Sequence, residues 1–410
     1  MRLAHTAPFL IERSQRENLI ARGSIDRGRE VLTVLRGNER ANADAVLAGK
    51  GRVDVQYQNE AGTGEGPTAE FFSCLSKSLF NETMWRCGEV PLFPKPFAEL
   101  SSEEQCSSGH AMRTLGLAVG RAVLDGRLLD LPLSECFFRR FVLQQPVSLK
   151  HLAEIEPEVS NSLSLMLRRK TRSEHLPGGL AHSMMNSSST GDRALDTEGE
   201  GKGGEKKEGS GSAAMIGWNK DDDEVTWSSA GRYVRDYVDR IIGSGVEQHV
   251  RAFRGGLAAV MAEPRVLEAF NETEVRSLVL GDSVLGHSKG WTQMSLANSI
   301  RASHGYSKAS APFRTLLEVM CQLMGDEERK ALLEFWIGVG RLPPGGFDSL
   351  SPPLQVVHKP PSDSAAPDAD LPSALTCQRQ LKLPPYSSAE VMHKQLGYAI
   401  SEGGKSFHLS

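Results

Sequence analysis

Near the end of the chain a single cysteine, Cys377, stands in Leu371-Pro-Ser-Ala-Leu-Thr-Cys377-Gln-Arg-Gln-Leu-Lys-Leu-Pro-Pro-Tyr386. Prolines bound the stretch and short apolar runs follow the cysteine, so the thiol sits on a stiff loop and not in a hydrophobic stripe. A thiol placed in this way suits a nucleophile that accepts a group and hands it on. Its thiolate is both a good nucleophile and a good leaving group. From this local context alone, a buried structural thiol stays open as the alternative.

The chain's other chemistry-bearing patterns read more plainly. Gly62-x-Gly64-x-Gly66 lacks the lysine of a phosphate-cradling loop and an acidic partner for a dinucleotide, and reads as a structural turn. Asp221-Asp-Asp-Glu224 reads as a solvated face. Cys377 with His393 or His408 would suggest a cysteine hydrolase, but that chemistry needs a positioned imidazole and a third group to orient it. Nothing in the sequence specifies such a triad. The remaining cysteines, Cys74, Cys87, Cys106, Cys136 and Cys321, lie in apolar or helical contexts and read as reduced packing residues. No C-x-x-C pair or zinc-finger spacing occurs, so neither a metal nor an organic cofactor is expected.

The bulk numbers set bounds. A chain of 410 residues, 39% hydrophobic and 24% charged, has room for two or three compact units. A formal net charge of -4 gives no basic footprint for nucleic acid. The apolar runs are too short to span a membrane. Met1-Arg-Leu-Ala-His-Thr-Ala-Pro8 has no apolar signal core, so the expectation is a cytoplasmic or nuclear protein.

Several elements must position the loop. Val53, Val55 and Tyr57 alternate as a strand, followed by a glycine-rich turn over 59–70 and a helix carrying Phe71, Phe72, Leu75 and Leu79. Helical spacing predicts helices over 110–128 and 231–252. Between them, 171–224 is rich in Ser, Gly, Glu and Lys and reads as a disordered insert. A short helix ends at Gly281-Asp-Ser283, and two more helices carry Phe313 to Met324 and Leu332 to Trp336. Strands follow at Leu354–Val357 and Leu381–Leu383. The last helix opens at Ser387-Ser-Ala-Glu390, with Ser and Glu at capping spacing and Met392, Leu396 and Ile400 on its buried face. The layout is a large, mostly helical lobe, a flexible joint and a small α+β lobe carrying Cys377.

The cysteine loop resembles the active-site loop of HECT-type ubiquitin ligases, which reads Leu-Pro, a few variable residues, then Thr-Cys. Gly62-Thr-Gly-Glu-Gly-Pro-Thr-Ala-Glu-Phe-Phe72 resembles the family's large-lobe signature. Leu115-Gly through Arg127-Leu-Leu-Asp-Leu-Pro-Leu133, Ser303-His-Gly-Tyr306 and Glu334-Phe-Trp-Ile-Gly-Val-Gly-Arg-Leu-Pro-Pro-Gly-Gly-Phe347 continue the match. The ending Ser406-Phe-His-Leu-Ser410 is similar to that of the ubiquitin-fusion-degradation and thyroid-receptor-interactor branch.

The resemblance implies a bilobal α+β HECT fold: an N-lobe over 1–280, a hinge at 281–284 and a C-lobe over 285–410. It implies a ligase that takes ubiquitin from a conjugating enzyme as a Cys377 thioester and passes it to a lysine of a protein substrate. Thr376 would orient the loop through its hydroxyl, and Phe407 would assist transfer. Tyr233 would contact the conjugating enzyme, and Gly281, Asp282 and Ser283 would form the hinge. Three departures stand out. Leu375 replaces a frequent His, Gln378-Arg379 replace the usual apolar residue and Asn, and low-complexity sequence occupies the region where the family builds much of its conjugating-enzyme groove. That last departure leaves a non-catalytic ubiquitin- or partner-binding module as the alternative.

Overall fold

Alternating apolar residues make Arg52–Tyr57 a strand, and the rest of its lobe is built outward from it. The computed structural model describes residues 29–60, 63–86, 91–169, 229–281, 291–350, 352–362 and 367–406. Arg29, Thr63, Glu65, Arg169, Cys377 and residues 402–406 are described by their backbone alone. The insert expected over 171–224 lies outside the described residues, as do Asp282, Ser283 and Phe407.

Strand β1 (Arg29–Val34) pairs in parallel with β2 (Arg52–Tyr57), with α1 (Glu39–Leu47) as the crossover, and β3 (Thr63–Gly64) returns antiparallel to β2. Helix α2 (Glu65–Phe80) then begins inside the glycine-rich stretch, earlier than its apolar residues suggest. Gly64 turns the chain at φ 102°, and Pro67 falls in the first helical turn, where a missing N–H costs nothing. The Thr68 hydroxyl fixes the junction by accepting from Val55 N (2.9 Å) and donating to Gly64 O (2.6 Å).

Helix α3 (Ser102–Asp125) starts eight residues before the expected 110, because Ser101 and Glu104 form a capping box. Its first turns are largely polar and exposed, so hydrophobic periodicity does not reveal them. It stops at Gly126, whose φ of 65° closes the last turn. After α4 (Pro157–Arg169), the single helix expected over 231–252 is two: α5 (Ala230–Ile242) and α6 (Glu247–Val260). Gly243 leaves helical geometry at ψ -112°, and the chain folds back so tightly that a Cβ on Gly245 would lie 1.8 Å from Arg240 O. Helices α3 and α6 cross backbone to backbone, which Gly116 and Gly256 permit. A Cβ on either would stand 2.0 Å from a carbonyl of the other helix, Phe253 O or Arg113 O. Helix α7 (Glu272–Leu280) ends the lobe.

Beyond it come α8 (Gln293–Ser299), β4 (Arg301–Ser303), α9 (Ala311–Glu318) and α10 (Asp326–Ile337), then β5 (Gln355–His358), β6 (Ser373–Leu375), β7 (Gln380–Leu383) and α11 (Ala389–Ser406). The sheet order is β4-β5-β7-β6, parallel except for the antiparallel β6–β7 pair. Strands β4 and β6 are three residues each, too short for a period-2 signal. The cap of α11 also differs from expectation: Ser388, not Ser387, accepts from Val391 N (3.3 Å). Ser387 is held instead by Asp368, whose carboxylate accepts from its N–H at 2.8 Å.

Two hydrophobic cores result. One runs from Val34 to Leu280, with Phe137, Phe141 and Phe253 in mutual ring contact and Phe93 against Phe141. The other runs from Trp291 to Leu396. The packing role expected of the cysteines holds for buried Cys136 and half-buried Cys74 and Cys321. Cys106 is exposed on the first turns of α3, and Cys87 lies outside the described residues.

Candidate active site

Residue 377 occupies a hairpin loop. Strands β6 and β7 pair up to Leu375 and Gln380, leaving Thr376 to Arg379 as a four-residue connection. Thr376–Gln378 form one 3-10 turn, and Arg379 closes it in the left-handed region at φ 50°, ψ 42°. Its N–H returns to Thr376 O at 3.1 Å. The left-handed position accounts for the asparagine usual in the resembling family, since Asn tolerates that conformation better than a long side chain does. Here the strain of Arg379 is opposed by three bonds. Its carbonyl accepts from Trp336 Nε1 (2.9 Å) and from Gln355 N (2.9 Å), and its Nη1 donates to Pro352 O (2.9 Å). The turn that carries Cys377 is thereby pinned to α10, to the neighbouring strand and to the preceding loop.

The turn faces the large lobe. Thr376 lines a crevice of about 570 Å³ whose large-lobe wall includes Arg36, Glu70, Cys74 and Lys77, with Glu334 and Ile400 opposite. A smaller cavity that shares Thr376, about 90 Å³, is bounded by Phe72 and Arg127 of the large lobe and by Ile337, Thr376 and Arg379 of the small lobe. Among the described residues two ion pairs cross between the lobes: Lys77 Nζ to Glu334 Oε1 at 3.7 Å and Arg341 Nε to Asp130 Oδ1 at 3.5 Å.

The crevice wall is charged and fixed. Arg36 is clamped by Glu60 (Nε–Oε1 2.8 Å) and Glu70 and lies 4.2 Å over the Tyr57 ring. Those hydrogen bonds raise the guanidinium pKa further and draw Glu60 below the usual carboxylate range. Burial pushes the Cys74 thiol up, and Glu39 and Glu70 add to the effect, so this thiol in the crevice wall stays protonated. Burial does the same to Cys136 and Cys321. A nucleophilic sulfur requires the opposite environment.

Of the residues singled out by sequence, Thr376 and the backbone of Cys377 meet in this turn. What the structure gives Thr376 is a carbonyl that closes the turn. Phe407, Asp282 and Ser283 lie outside the described residues. Gly281 ends α7 at φ 75°, and a Cβ there would lie 2.4 Å from Leu342 O, so this position admits only glycine in this arrangement. Tyr233 stands in the first turn of α5, 9% exposed, with its ring 6.3 Å from that of Tyr237. His393 is engaged elsewhere, 3.0 Å from Glu328 Oε1. Among the described residues no group of three His, Cys, Asp or Glu could hold a metal, and no helix is long and apolar enough to cross a membrane. Sequence reasoning missed the supporting roles of Trp336 and Arg341. Both fall within a quoted motif, but helical spacing offers Trp336 only as a core residue.

A cysteine in a hairpin turn of the small α+β lobe, which faces a large helical lobe, is the arrangement of a class of two-lobed proteins. Residues 73–410 match the model of the HECT-domain (ubiquitin-transferase) family, and the chain belongs to that family. It is 34% identical over 389 residues to E3 ubiquitin-protein ligase UPL4 of Arabidopsis thaliana, covering 87% of this chain and 24% of the relative. It is 31% identical over 454 residues to E3 ubiquitin-protein ligase TRIP12 of Danio rerio, covering 100% and 21%. It is 30% identical over 380 residues to Ubiquitin fusion degradation protein 4 of Saccharomyces cerevisiae, covering 87% and 24%. The chain thus spans about a fifth to a quarter of the length of these relatives.

Proposed function

We propose that this chain is the catalytic module of a ubiquitin ligase and that Cys377 carries ubiquitin between a conjugating enzyme and a substrate lysine. The Cys377 thiolate attacks the carbonyl carbon of the donor thioester. A new C–S bond forms, and the conjugating enzyme's sulfur leaves as its thiolate. A lysine amine then attacks the same carbon, a C–N bond forms, the C–S bond to Cys377 breaks, and the amine's proton passes to solvent. Exchange between two thioesters has little driving force, so placement supplies much of the rate. The observation that carries this reading is the pinned turn at Thr376–Gln378, opening on a crevice between two lobes.

The other assignments follow from the same reading. Thr376 orients the turn, and Phe407 assists transfer to lysine. Tyr233 contributes to conjugating-enzyme docking, and Gly281, Asp282 and Ser283 absorb the lobe rotation between the two steps. The relatives named as E3 ubiquitin-protein ligases support catalysis over a non-catalytic binding module. A cytoplasmic or nuclear setting, acting on protein and not on nucleic acid or membrane, fits the composition.

A single-turnover assay tests the proposal, with ubiquitin preloaded on several conjugating enzymes and products resolved with and without reductant. A reducible adduct that is lost in Cys377→Ala supports it. An adduct that persists in that variant, or none from folded wild-type chain with any donor, overturns it. Deleting 407–410 should leave the adduct and slow its discharge to lysine; equal loss of both steps would assign Phe407 a folding role.

A further inference from the structure

The two ion pairs that join the lobes among the described residues are not equivalent. Lys77 and Glu334 are roughly half exposed, at 56% and 43%, so water screens them and they exert little hold. Arg341 and Asp130 are 15% and 23% exposed, so water screens this pair much less. The Asp130 N–H donates to Ser76 Oγ at 3.2 Å, and the N–H of adjacent Leu129 donates to Val279 O at 2.9 Å, so α2 and α7 both fix the backbone that bears this carboxylate. Arg341 leads the segment Arg341-Leu342-Pro343, whose Leu342 carbonyl packs on Gly281. Burial disfavours the charge of the Arg341 guanidinium, Asp130 opposes that effect, and Arg276 of α7 adds repulsion. The same contact region brings Gly338 against Ala69 of α2, with Cβ positions 3.5 Å apart.

We propose that Asp130 and Arg341 are positioning residues for transfer: their ion pair seats the small lobe so that the Thr376–Gln378 turn faces α2 across the crevice. The pair acts through lobe placement and touches no reacting atom. This inference rests on the transfer reading above, because it assigns the seated arrangement to the lysine step. Loading of Cys377 from a conjugating enzyme does not depend on the seat, whereas discharge to lysine does. Removing either partner leaves a charge facing the interface unpaired and favours separation, whereas exchanging the two charges restores attraction.

The test has two arms. In the first, Ala69→Cys and Gly338→Cys are placed in a Cys377→Ala background, where a Cβ separation of 3.5 Å suits a disulfide. Disulfide formation in a glutathione redox buffer then reports how much of the chain is seated, independently of any ligase activity. Any strain from a side chain at Gly338 is common to every variant and cancels. Asp130→Asn and Arg341→Gln should each lower the cross-linking equilibrium about tenfold, and the Asp130→Arg/Arg341→Asp exchange should bring it back to within about threefold. In the second arm, the same substitutions without the added cysteines should slow discharge of preformed thioester to lysine about tenfold while loading stays within about twofold. The exchange should recover discharge. Unchanged cross-linking in both single variants, or no recovery by the exchange in a sample with wild-type circular dichroism, overturns the inference. Absence of thioester in the wild type would instead sink the transfer reading and leave the cross-linking arm to judge the seat.

Discussion

The indole Nε1 of Trp336 donates a 2.9 Å hydrogen bond to the carbonyl oxygen of Arg379, joining the buried face of α10 to the turn that carries Cys377. Trp336 is fully buried, so the bond forms in a water-poor setting, and the ring packs the small-lobe core while its edge holds the turn. Trp336→Phe keeps most of the apolar volume and removes only the donor. Gln355 N continues to bond the same carbonyl, so the lobe should fold. A net loss of about 1 kcal/mol in turn placement corresponds to discharge to lysine slower by about fivefold. Single-turnover discharge measures this, and an unchanged rate would show that the indole N–H has no part in placing the turn.

The left-handed turn position makes an ordered series. Arg379→Asn should leave small-lobe stability within about 0.5 kcal/mol, because Asn tolerates this region while the exposed bond to Pro352 O is lost. Arg379→Val puts a β-branched side chain at φ 50° and should cost about 2 kcal/mol. Thermal melts of the two variants decide the order. Equal stability would mean that the turn relaxes out of the left-handed region.

At the α3–α6 crossing, two neighbouring glycines should respond in opposite senses. Gly256→Ala drives a methyl into Arg113 O, a backbone atom no rotamer change can move, and should destabilise the large lobe by about 3 kcal/mol. Gly255→Ala meets nothing within 4 Å in the same helix and should stabilise by roughly 0.5–1 kcal/mol through helix propensity. Urea unfolding of both variants checks the sign of each.

His249 predicts an acid dependence. It is fully buried between α3 and the Phe97 ring, with Nε2 3.1 Å from Ser108 Oγ, and burial pushes its pKa down to about 4. The unfolded chain takes up a proton at this group below its ordinary 6.5, while the folded chain resists doing so until about 4. Stability is therefore unaffected by this group above pH 6.5 and falls as pH drops from 6.5 to 4. The loss through His249 alone reaches about 3 kcal/mol. His249→Gln should flatten that part of the stability–pH curve, measured by urea midpoints. A curve of unaltered slope would place the acid sensitivity elsewhere.

Much of this architecture is local and could be read from residue order. The strand around Val53 to Tyr57, the apolar faces of α3 and α11, and the glycine stop at Gly281 each follow from spacing and backbone chemistry within one segment. Where local signals mislead, short-range geometry overrides periodicity. Gly243 and Gly245 divide an unbroken apolar stripe into two helices, and a polar capping box extends α3 over residues without hydrophobic pattern.

By itself, the sequence determined the family motifs, the two-lobe layout and the cysteine around which the proposed chemistry is built. Tertiary structure alone decided what holds that cysteine's turn and what faces it. The Trp336–Arg379 bond joins residues 43 apart, and the Asp130–Arg341 pair joins two lobes through an interface that no segment encodes. Long-range partners depend on how independently formed surfaces meet, and period and propensity describe only what a segment offers to that meeting.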